Sequence, residues 1–304
     1  MEPFRVHILG CGSALPTLRH FPSMQVVECR GKLFMVDCGE GAQLQMRRSG
    51  LSFNKLGHIF ISHIHGDHCF GLIGMISTFG LLGRTARLHV YAPAALERML
   101  EEQTRLFCYD LSYEVVFHPV DTKLRQIIFD DRSLQVESIP LEHRMPCCGY
   151  LFREKPGLPH IRRDMLDCYG IPVSQINNIK LGADYTLPDG TVIPNEHLVT
   201  PPDKARAYAY CSDTRYVPAL AAQLSGVDAL YHESTYGEDN LAMAEKYYHS
   251  TARQAAQVAR DAGVNRLILG HYSSRYTDER VLLNEALEVF PHAVLSSEMQ
   301  VFDV

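Results

Sequence analysis

No stretch of this 304-residue sequence approaches an uninterrupted apolar run of membrane-spanning length, which argues against a spanning helix and a membrane partner. No Cys-x-x-Cys pair occurs among its nine cysteines (Cys11, Cys29, Cys38, Cys69, Cys108, Cys147, Cys148, Cys168 and Cys211). An odd number of thiols, mostly set in apolar strand-like runs, fits buried free cysteines in a reducing compartment better than a disulfide framework. Adjacent cysteines bridge poorly, so Cys147-Cys148 is not read as a redox pair. Basic residues are not in surplus. A net charge of −6 and a pI near 6.2 do not advertise nucleic-acid binding, and a polyanionic ligand would have to be held by a local basic patch and by metals. There is no sequence repeat and no low-complexity segment. Met1-Glu2-Pro3-Phe4-Arg5 enters a strand-like run with no basic region followed by an apolar one, so no secretory signal is expected and the expected location is cytoplasmic.

What is present is the composition of an ordinary globular protein, 46% hydrophobic and 21% charged, long enough to bury a substantial core. Short apolar runs predict strands at Phe4–Leu9, Met24–Cys29, Lys32–Val36, His58–Ser62, Leu88–Tyr91, Tyr113–Phe117, Gln126–Phe129, Leu134–Ile139, Tyr208–Cys211, Ala229–Tyr231 and Arg266–Leu269, with a last strand over Val294–Phe302. Helical stretches are expected from about Asp37 to Arg48, Phe70 to Leu82, Ala94 to Phe107, Ser250 to Ala262 (closed by Gly263) and Asp278 to Phe290. Strands and covering helices in both halves suggest a layered α/β sandwich, one domain over 1–304. Between about Arg153 and Pro202, prolines and glycines recur and Arg162-Arg163 adds a basic pair. That texture reads as an inserted arm over 153–202 with a short helix near Asp164–Cys168.

The chain is organised around His63-Ile64-His65-Gly66-Asp67-His68, directly after an apolar strand. Unpaired polar groups at a strand end must be solvated or bound to something. At alternate positions of an extended loop, His63 and His65 point the same way, as ligands of one metal need. Asp67 and His68 follow a glycine that lets the backbone turn, so they can face a second point nearby. Imidazole nitrogen and carboxylate oxygen suit zinc, with manganese or iron as alternatives. A lone His-x-His would be a pair of surface histidines. Here four further polar residues each lie just beyond an apolar strand: His143, Asp213, Glu233 and His271. Strand ends on one edge of a sandwich converge on one cleft, so these residues can meet the first cluster.

With that set the chain resembles the metallo-β-lactamase superfamily. Gly10-Cys11-Gly12-Ser13-Ala14-x-Pro16, Asp37-Cys38-Gly39-Glu40-Gly41, Tyr210-Cys211-Ser212-Asp213-Thr214-Arg215, His232-Glu233-Ser234-Thr235, His249-Ser250-Thr251 and His271-x-Ser273-Ser274-Arg275-Tyr276 narrow the resemblance to its ribonuclease Z family, over nearly the whole chain. The resemblance implies a four-layer αββα sandwich and two zinc ions per subunit. It places His63, His65 and His143 on one ion, Asp67, His68 and His271 on the other, and Asp213 between them. Two such cations accept both the attacking and the leaving oxygen of a phosphodiester, and bound water with its pKa lowered towards ~7 is a nucleophile at neutral pH. Asp67 would orient or deprotonate that water. Glu233 and His249 resemble the family's proton shuttle, in which a carboxylate holds an imidazole that donates to the leaving 3′-oxygen. Arg275 is the candidate phosphate-binding arginine.

The implied activity is cleavage of precursor tRNA on the 3′ side of the discriminator nucleotide, by a homodimer whose arm grips the tRNA. Two features depart from the family pattern. Pro16-Thr17-Leu18-Arg19-His20-Phe21 lacks the usual lysine and Arg-Asn pair, and Ile171–Asn178 replaces a glycine-proline arm tip. Two other readings share these residues. One is a zinc phosphodiesterase acting on small diesters or cyclic nucleotides; the other is a catalytically silent RNA-binding subunit.

Overall fold

The computed structural model describes residues 2–304. They divide into two compact units, one made of Glu2–Arg153 with Arg206–Val304 and the other of Glu154–Ala205. The larger unit is built on two seven-stranded sheets. The first contains β1 (Phe4–Gly10), β2 (Met24–Cys29), β3 (Lys32–Val36), β4 (Leu56–Phe60), β5 (Leu88–Pro93) and β6 (Val115–Val120) side by side, with the chain's last strand at the β1 edge. The second begins with β7 (Gln126–Asp130), β8 (Leu134–Pro140) and β9 (Cys148–Glu154).

The smaller unit holds four two-residue strands, β10 (His160–Ile161), β11 (Tyr185–Thr186), β12 (Val192–Ile193) and β13 (Val199–Thr200). They pair as β10 with β13 and β11 with β12. The short helix expected near Asp164–Cys168 forms at Arg163–Tyr169. Ile171, Ile179, Ile193 and Leu198 are buried together, so this segment carries a small apolar core of its own.

Returning to the larger unit, β14 (Ala207–Cys211), β15 (Ala229–Glu233), β16 (Arg266–Gly270) and β17 (Ala293–Leu295) complete the second sheet, in the order β17-β16-β15-β14-β9-β8-β7. β18 (Val301–Asp303) pairs antiparallel with β1. The single last strand expected over Val294–Phe302 is therefore two strands in different sheets. The break lies at Ser296, buried and donating from Oγ to the Leu269 carbonyl at 2.6 Å, and at Met299, whose φ of 68° no strand tolerates.

Period-two patterning explains the layering. On β3, Phe34 and Val36 enter the core between the sheets, whereas Leu33 and Met35 pack on the outer side with Met46, Met75 and Phe79 of covering helices. Between the sheets Phe60 meets Tyr150 and Phe152 with ring centroids 5.3 and 5.6 Å apart. Outside the second sheet lies the helix Ala252–Ala262. It starts at a reciprocal cap in which Thr251 Oγ1 accepts from the Gln254 amide and Gln254 Oε1 from the Thr251 amide. It ends at Gly263, left-handed at φ 69°. All nine cysteines are free thiols, and Cys168 alone of them is exposed.

One core feature predicts acid sensitivity. His58 on β4 stacks on His89 at 5.0 Å and against Phe129 at 4.7 Å, and its Nδ1 is buried without a hydrogen-bond partner. Burial, reinforced by His89, pushes its pKa from 6.5 down to about 4; the Asp131 charge opposes this and His118 and Lys32 add to it. A lowered histidine pKa means the unfolded chain binds the extra proton, so this contribution is whole above pH 6.5 and is lost as pH falls towards 4. The full span corresponds to about 3 kcal/mol. His58→Phe keeps the ring packing and removes the proton. Urea midpoints at pH 7.5 and pH 5 are expected to diverge less for the variant than for the parent, and equal divergence would refute the assignment.

Candidate active site

β4 ends at Phe60, and the chain runs through Ser62 into His63. His65 is extended, and Gly66–Cys69 form one helical turn carrying Asp67 and His68. Gly66 does not serve the backbone turn expected of it, since it opens this helix without a positive φ. A Cβ at 66 would lie 2.2 Å from a ring carbon of the exposed Phe70 side chain, which would have to swing aside. The remaining residues come from the second sheet. β14, β15 and β16 are parallel neighbours, so their C-terminal ends share an edge. They deliver Asp213, Glu233 and His271 there, and the loop after β8 brings His143.

The residues divide into two groups. One nitrogen each of His63, His65 and His143 and an oxygen of Asp213 lie within 4.8 Å of one another, as do ligand atoms of Asp67, His68 and His271. Asp213 faces both. Its Oδ2 is 3.6 Å from His63 Nε2 and 3.8 Å from His143 Nε2, while its Oδ1 is 3.4 Å from His68 Nε2 and 3.2 Å from His271 Nε2. Asp67 Oδ2 completes the second group at 3.3 Å from His68 Nε2 and 3.4 Å from His271 Nε2.

The opposite ring nitrogens are held from behind, which aims the imidazoles inward. His68 Nδ1 is 2.7 Å from Asp37 Oδ2, His63 Nδ1 3.0 Å from Ser62 Oγ, His143 Nδ1 2.9 Å from the Tyr248 carbonyl and His271 Nδ1 2.8 Å from Thr235 Oγ1. In the sequence Asp37 opens both a helical stretch and the family motif Asp37-Cys38-Gly39-Glu40-Gly41, with no role in the site attached to it. That helix begins at Ala42, and Asp37 stands before it at φ 55°, its carboxylate also accepting from Tyr210 Oη at 2.6 Å and the Ser62 amide at 2.7 Å. Tyr248 and His271 are left-handed as well, each at φ 60°. Backbone strain is thus gathered around this cluster.

Four buried atoms here have no hydrogen-bond partner: Asp67 Oδ2, His68 Nε2, Asp213 Oδ1 and His271 Nε2. Stranding each costs on the order of 1–3 kcal/mol, and an array of inward lone pairs is what a cation binds. Protonation states agree at His63, His65 and His143. Burial and the neighbouring imidazoles press His63 well below its ordinary pKa, and burial also lowers His65 and His143, leaving lone pairs to donate. Burial opposes ionisation of Asp67 and Asp213, but His68 acting on the first and His271 on the second outweigh it, so both stay far below the usual carboxylate range. Burial works to lower His68, but the Asp67, Asp213 and Asp37 carboxylates overcome it and raise it, so a divalent cation bound there would take the place of the His68 proton. The residues present fit divalent metal.

Glu233 and His249 meet beside this cluster, His249 Nδ1 2.8 Å from Glu233 Oε1. Glu233 is fully buried and its oxygens also accept from the Thr214 and Thr235 amides, each at 3.0 Å, and from Thr235 Oγ1 at 2.6 Å. Burial would lower His249, but the Glu233 charge prevails and raises it to about 9. The cap at Thr251 sets where His249 precedes its helix, and its ring lies 5.1 Å from that of His143 and 5.5 Å from that of His271.

These groups open on a cleft of about 790 Å³, also lined by Leu15, Phe70, Arg144, Tyr247 and Arg275. Arg275 donates to Asn240 Oδ1 at 2.8 Å and lies over the Tyr236 ring at 5.2 Å. Arg144 and Lys246 lie over Tyr247 at 5.7 and 5.2 Å. Both escaped the sequence reading, although Arg144 directly follows His143. In the altered loop, Arg19 Nη1 donates to Glu279 at 2.7 Å and to the Thr277 carbonyl at 3.0 Å, and His20 lies between Glu279 and Glu298 at 3.2 and 3.0 Å. These two side chains tie the loop down.

Residues 4–143 match the family described as anti-Pycsar protein Apyc1, and residues 196–272 match the β-lactamase superfamily domain. Among solved structures, the short form of human tRNase Z aligns with a TM-score of 0.71 at 23% identity, covering 98% of each chain, which shows the fold. The metallo-β-lactamase fold protein YhfI of Bacillus subtilis aligns at 0.69 with 18% identity over the full length of both. The two-sheet architecture is the metallo-β-lactamase fold. A ribonuclease Z from Porphyromonas gingivalis is 50% identical over the whole of both chains. With 57% identity to the ribonuclease Z of Bacteroides fragilis across 98% of each sequence, the chain belongs to the ribonuclease Z family.

Proposed function

We propose that this protein is a metal-dependent endoribonuclease that cuts precursor tRNA on the 3′ side of the discriminator nucleotide. The observation that carries the reading is the split carboxylate of Asp213, one oxygen towards His63 and His143 and the other towards His68 and His271. On this reading His63, His65 and His143 hold one zinc, Asp67, His68 and His271 hold the second, and Asp213 is shared. Zinc bound there would supply Lewis-acid stabilisation of the phosphoryl oxygens and a more acidic water.

The chain's own groups do the rest. Asp67 accepts a hydrogen bond from the attacking water, orients it towards phosphorus and takes its proton as the water attacks. As the new O–P bond forms and the P–O3′ bond breaks, His249 gives its proton to the departing 3′-oxygen, leaving a 3′-hydroxyl on the tRNA and a 5′-phosphate on the trailer. Glu233 keeps His249 charged until that moment. Arg275 and Arg144 at the cleft, with Lys246 over the Tyr247 ring that lines it, supply the local positive charge that a chain of net charge −6 needs to receive a polyanion. The Glu154–Ala205 unit is assigned to tRNA grip within a homodimer, following the resemblance.

The test is incubation of the purified zinc-loaded chain with a precursor tRNA, mapping of both new ends, and light scattering of the same sample. A single cut after the discriminator by a dimer is expected. Hydrolysis of cyclic nucleotides with no cut in tRNA would replace this reading with the small-diester one.

A further inference from the structure

Phe70 has no packing role that accounts for it. It caps the helical turn Gly66–Cys69, with its amide donating to the Gly66 carbonyl at 2.9 Å, yet its side chain is 68% exposed. It joins none of the apolar clusters, although Cys69 before it and Leu72 after it do. Its ring lies beside Gly66, in space that a Cβ there would take up. Exposing an aromatic face of this size forfeits burial worth having, and the bare backbone of Gly66 leaves room for the ring against the metal loop. Leu15, 65% exposed, lines the same cleft, whereas Arg144 with Tyr247 forms a cationic lip. The mouth thus offers both an apolar surface and a charged one. RNA presents both partners, phosphates to the cations and base faces to the aromatic ring.

We infer that Phe70 is the stacking platform for an unpaired nucleobase of the RNA next to the scissile phosphate. The inference rests on the ribonuclease reading and adds to it the part of the substrate that sets register at the cut. A stacked base gives up conformational freedom before the reaction, so the neighbouring phosphodiester arrives oriented beside the Asp67–His68 turn.

A cycle of protein and RNA changes tests it. Wild type, F70A, F70L and F70W are assayed on a precursor tRNA and on two versions carrying an abasic nucleotide immediately 5′ or 3′ of the cleavage point. F70A and F70L are expected to lose roughly 5- to 150-fold in kcat/KM on the intact RNA, and F70W to stay near wild type. On one of the abasic RNAs wild type should fall to the level of F70A, with F70A falling no further. Zinc content and thermal midpoint should match wild type in all variants. F70L, which keeps apolar volume without a flat face, cutting as fast as wild type would overturn the inference, as would penalties that multiply independently. Failure of wild type to cut any of the RNAs would instead sink the ribonuclease reading.

Discussion

Asp213→Ala is expected to lose at least about a thousandfold in RNA hydrolysis and to bind less metal. The reason is the position of the carboxylate between two groups of imidazoles, where each oxygen serves a different group. Stabilisation of phosphoryl charge by bound metal is worth several kcal/mol, at about 1.4 kcal/mol per tenfold in rate. Removing the shared anion also leaves the inward nitrogens of His68 and His271, whose ring centroids are 5.3 Å apart, with Asp67 as the carboxylate that faces both. Metal analysis of the purified variant, taken with mapped cleavage, measures both effects. Thermal melts with and without chelator add a readout independent of activity. In the parent, chelation strands Asp67 Oδ2, His68 Nε2, Asp213 Oδ1 and His271 Nε2 and should lower the melting midpoint. In the variant the midpoint should respond less. A variant with full metal content and unchanged cleavage would show that no shared site exists here.

The same geometry explains what could be read from the sequence and what could not. His63 to His68 stand together in the chain, so their proximity needs no fold. His143, Asp213 and His271 were readable because each follows an apolar strand, and parallel strands bring such ends to one edge. Asp37 was not readable as part of the site. Its partners His68 and Tyr210 lie 31 and 173 positions away, and an acidic residue before Cys38-Gly39 looks like the opening of a helix. Arg144 and Phe70 were invisible for the opposite reason. Both belong to the cleft through exposure rather than burial, and no period or spacing marks an exposed residue as useful. The last strand was misread because the apolar pairs Val294-Leu295 and Val301-Phe302 were joined across Ser296-Ser297-Glu298, where the chain leaves one sheet for the other. The pairing of the two pieces with β16 and β1, and the bond from Ser296 to Leu269, reveal the crossing between sheets. In the Glu154–Ala205 unit, frequent prolines and glycines marked an insertion, while Ile171, Ile179, Ile193 and Leu198 are too far apart to announce a core.

His249→Ala is expected to lower cleavage of RNA by about 10²- to 10⁴-fold, the usual contribution of a positioned general acid, while leaving metal content intact. On the proposed reading His249, whose Nδ1 is held by Glu233 and whose pKa that charge raises to about 9, carries the proton for the leaving group. Glu233→Gln should act in the same direction, because an amide neither sustains the charge on His249 nor satisfies both threonine amides and the Thr235 hydroxyl as a carboxylate does. The two changes should be far from additive, since once the imidazole is gone its carboxylate has no proton to hold. The distinguishing measurement is the leaving group. An alkoxide such as the ribose 3′-oxygen needs a proton as it departs, whereas an activated aryl oxide leaves as a stabilised anion. His249→Ala should therefore lose most of its rate on RNA and much less on a p-nitrophenyl diester. Equal losses on both substrates would make the Glu233–His249 pair a structural salt bridge and move the proton donor elsewhere. A fall in bound zinc alongside the rate would place His249 among the ligands instead, in the alternative grouping with Asp213 and His271 that its position also permits.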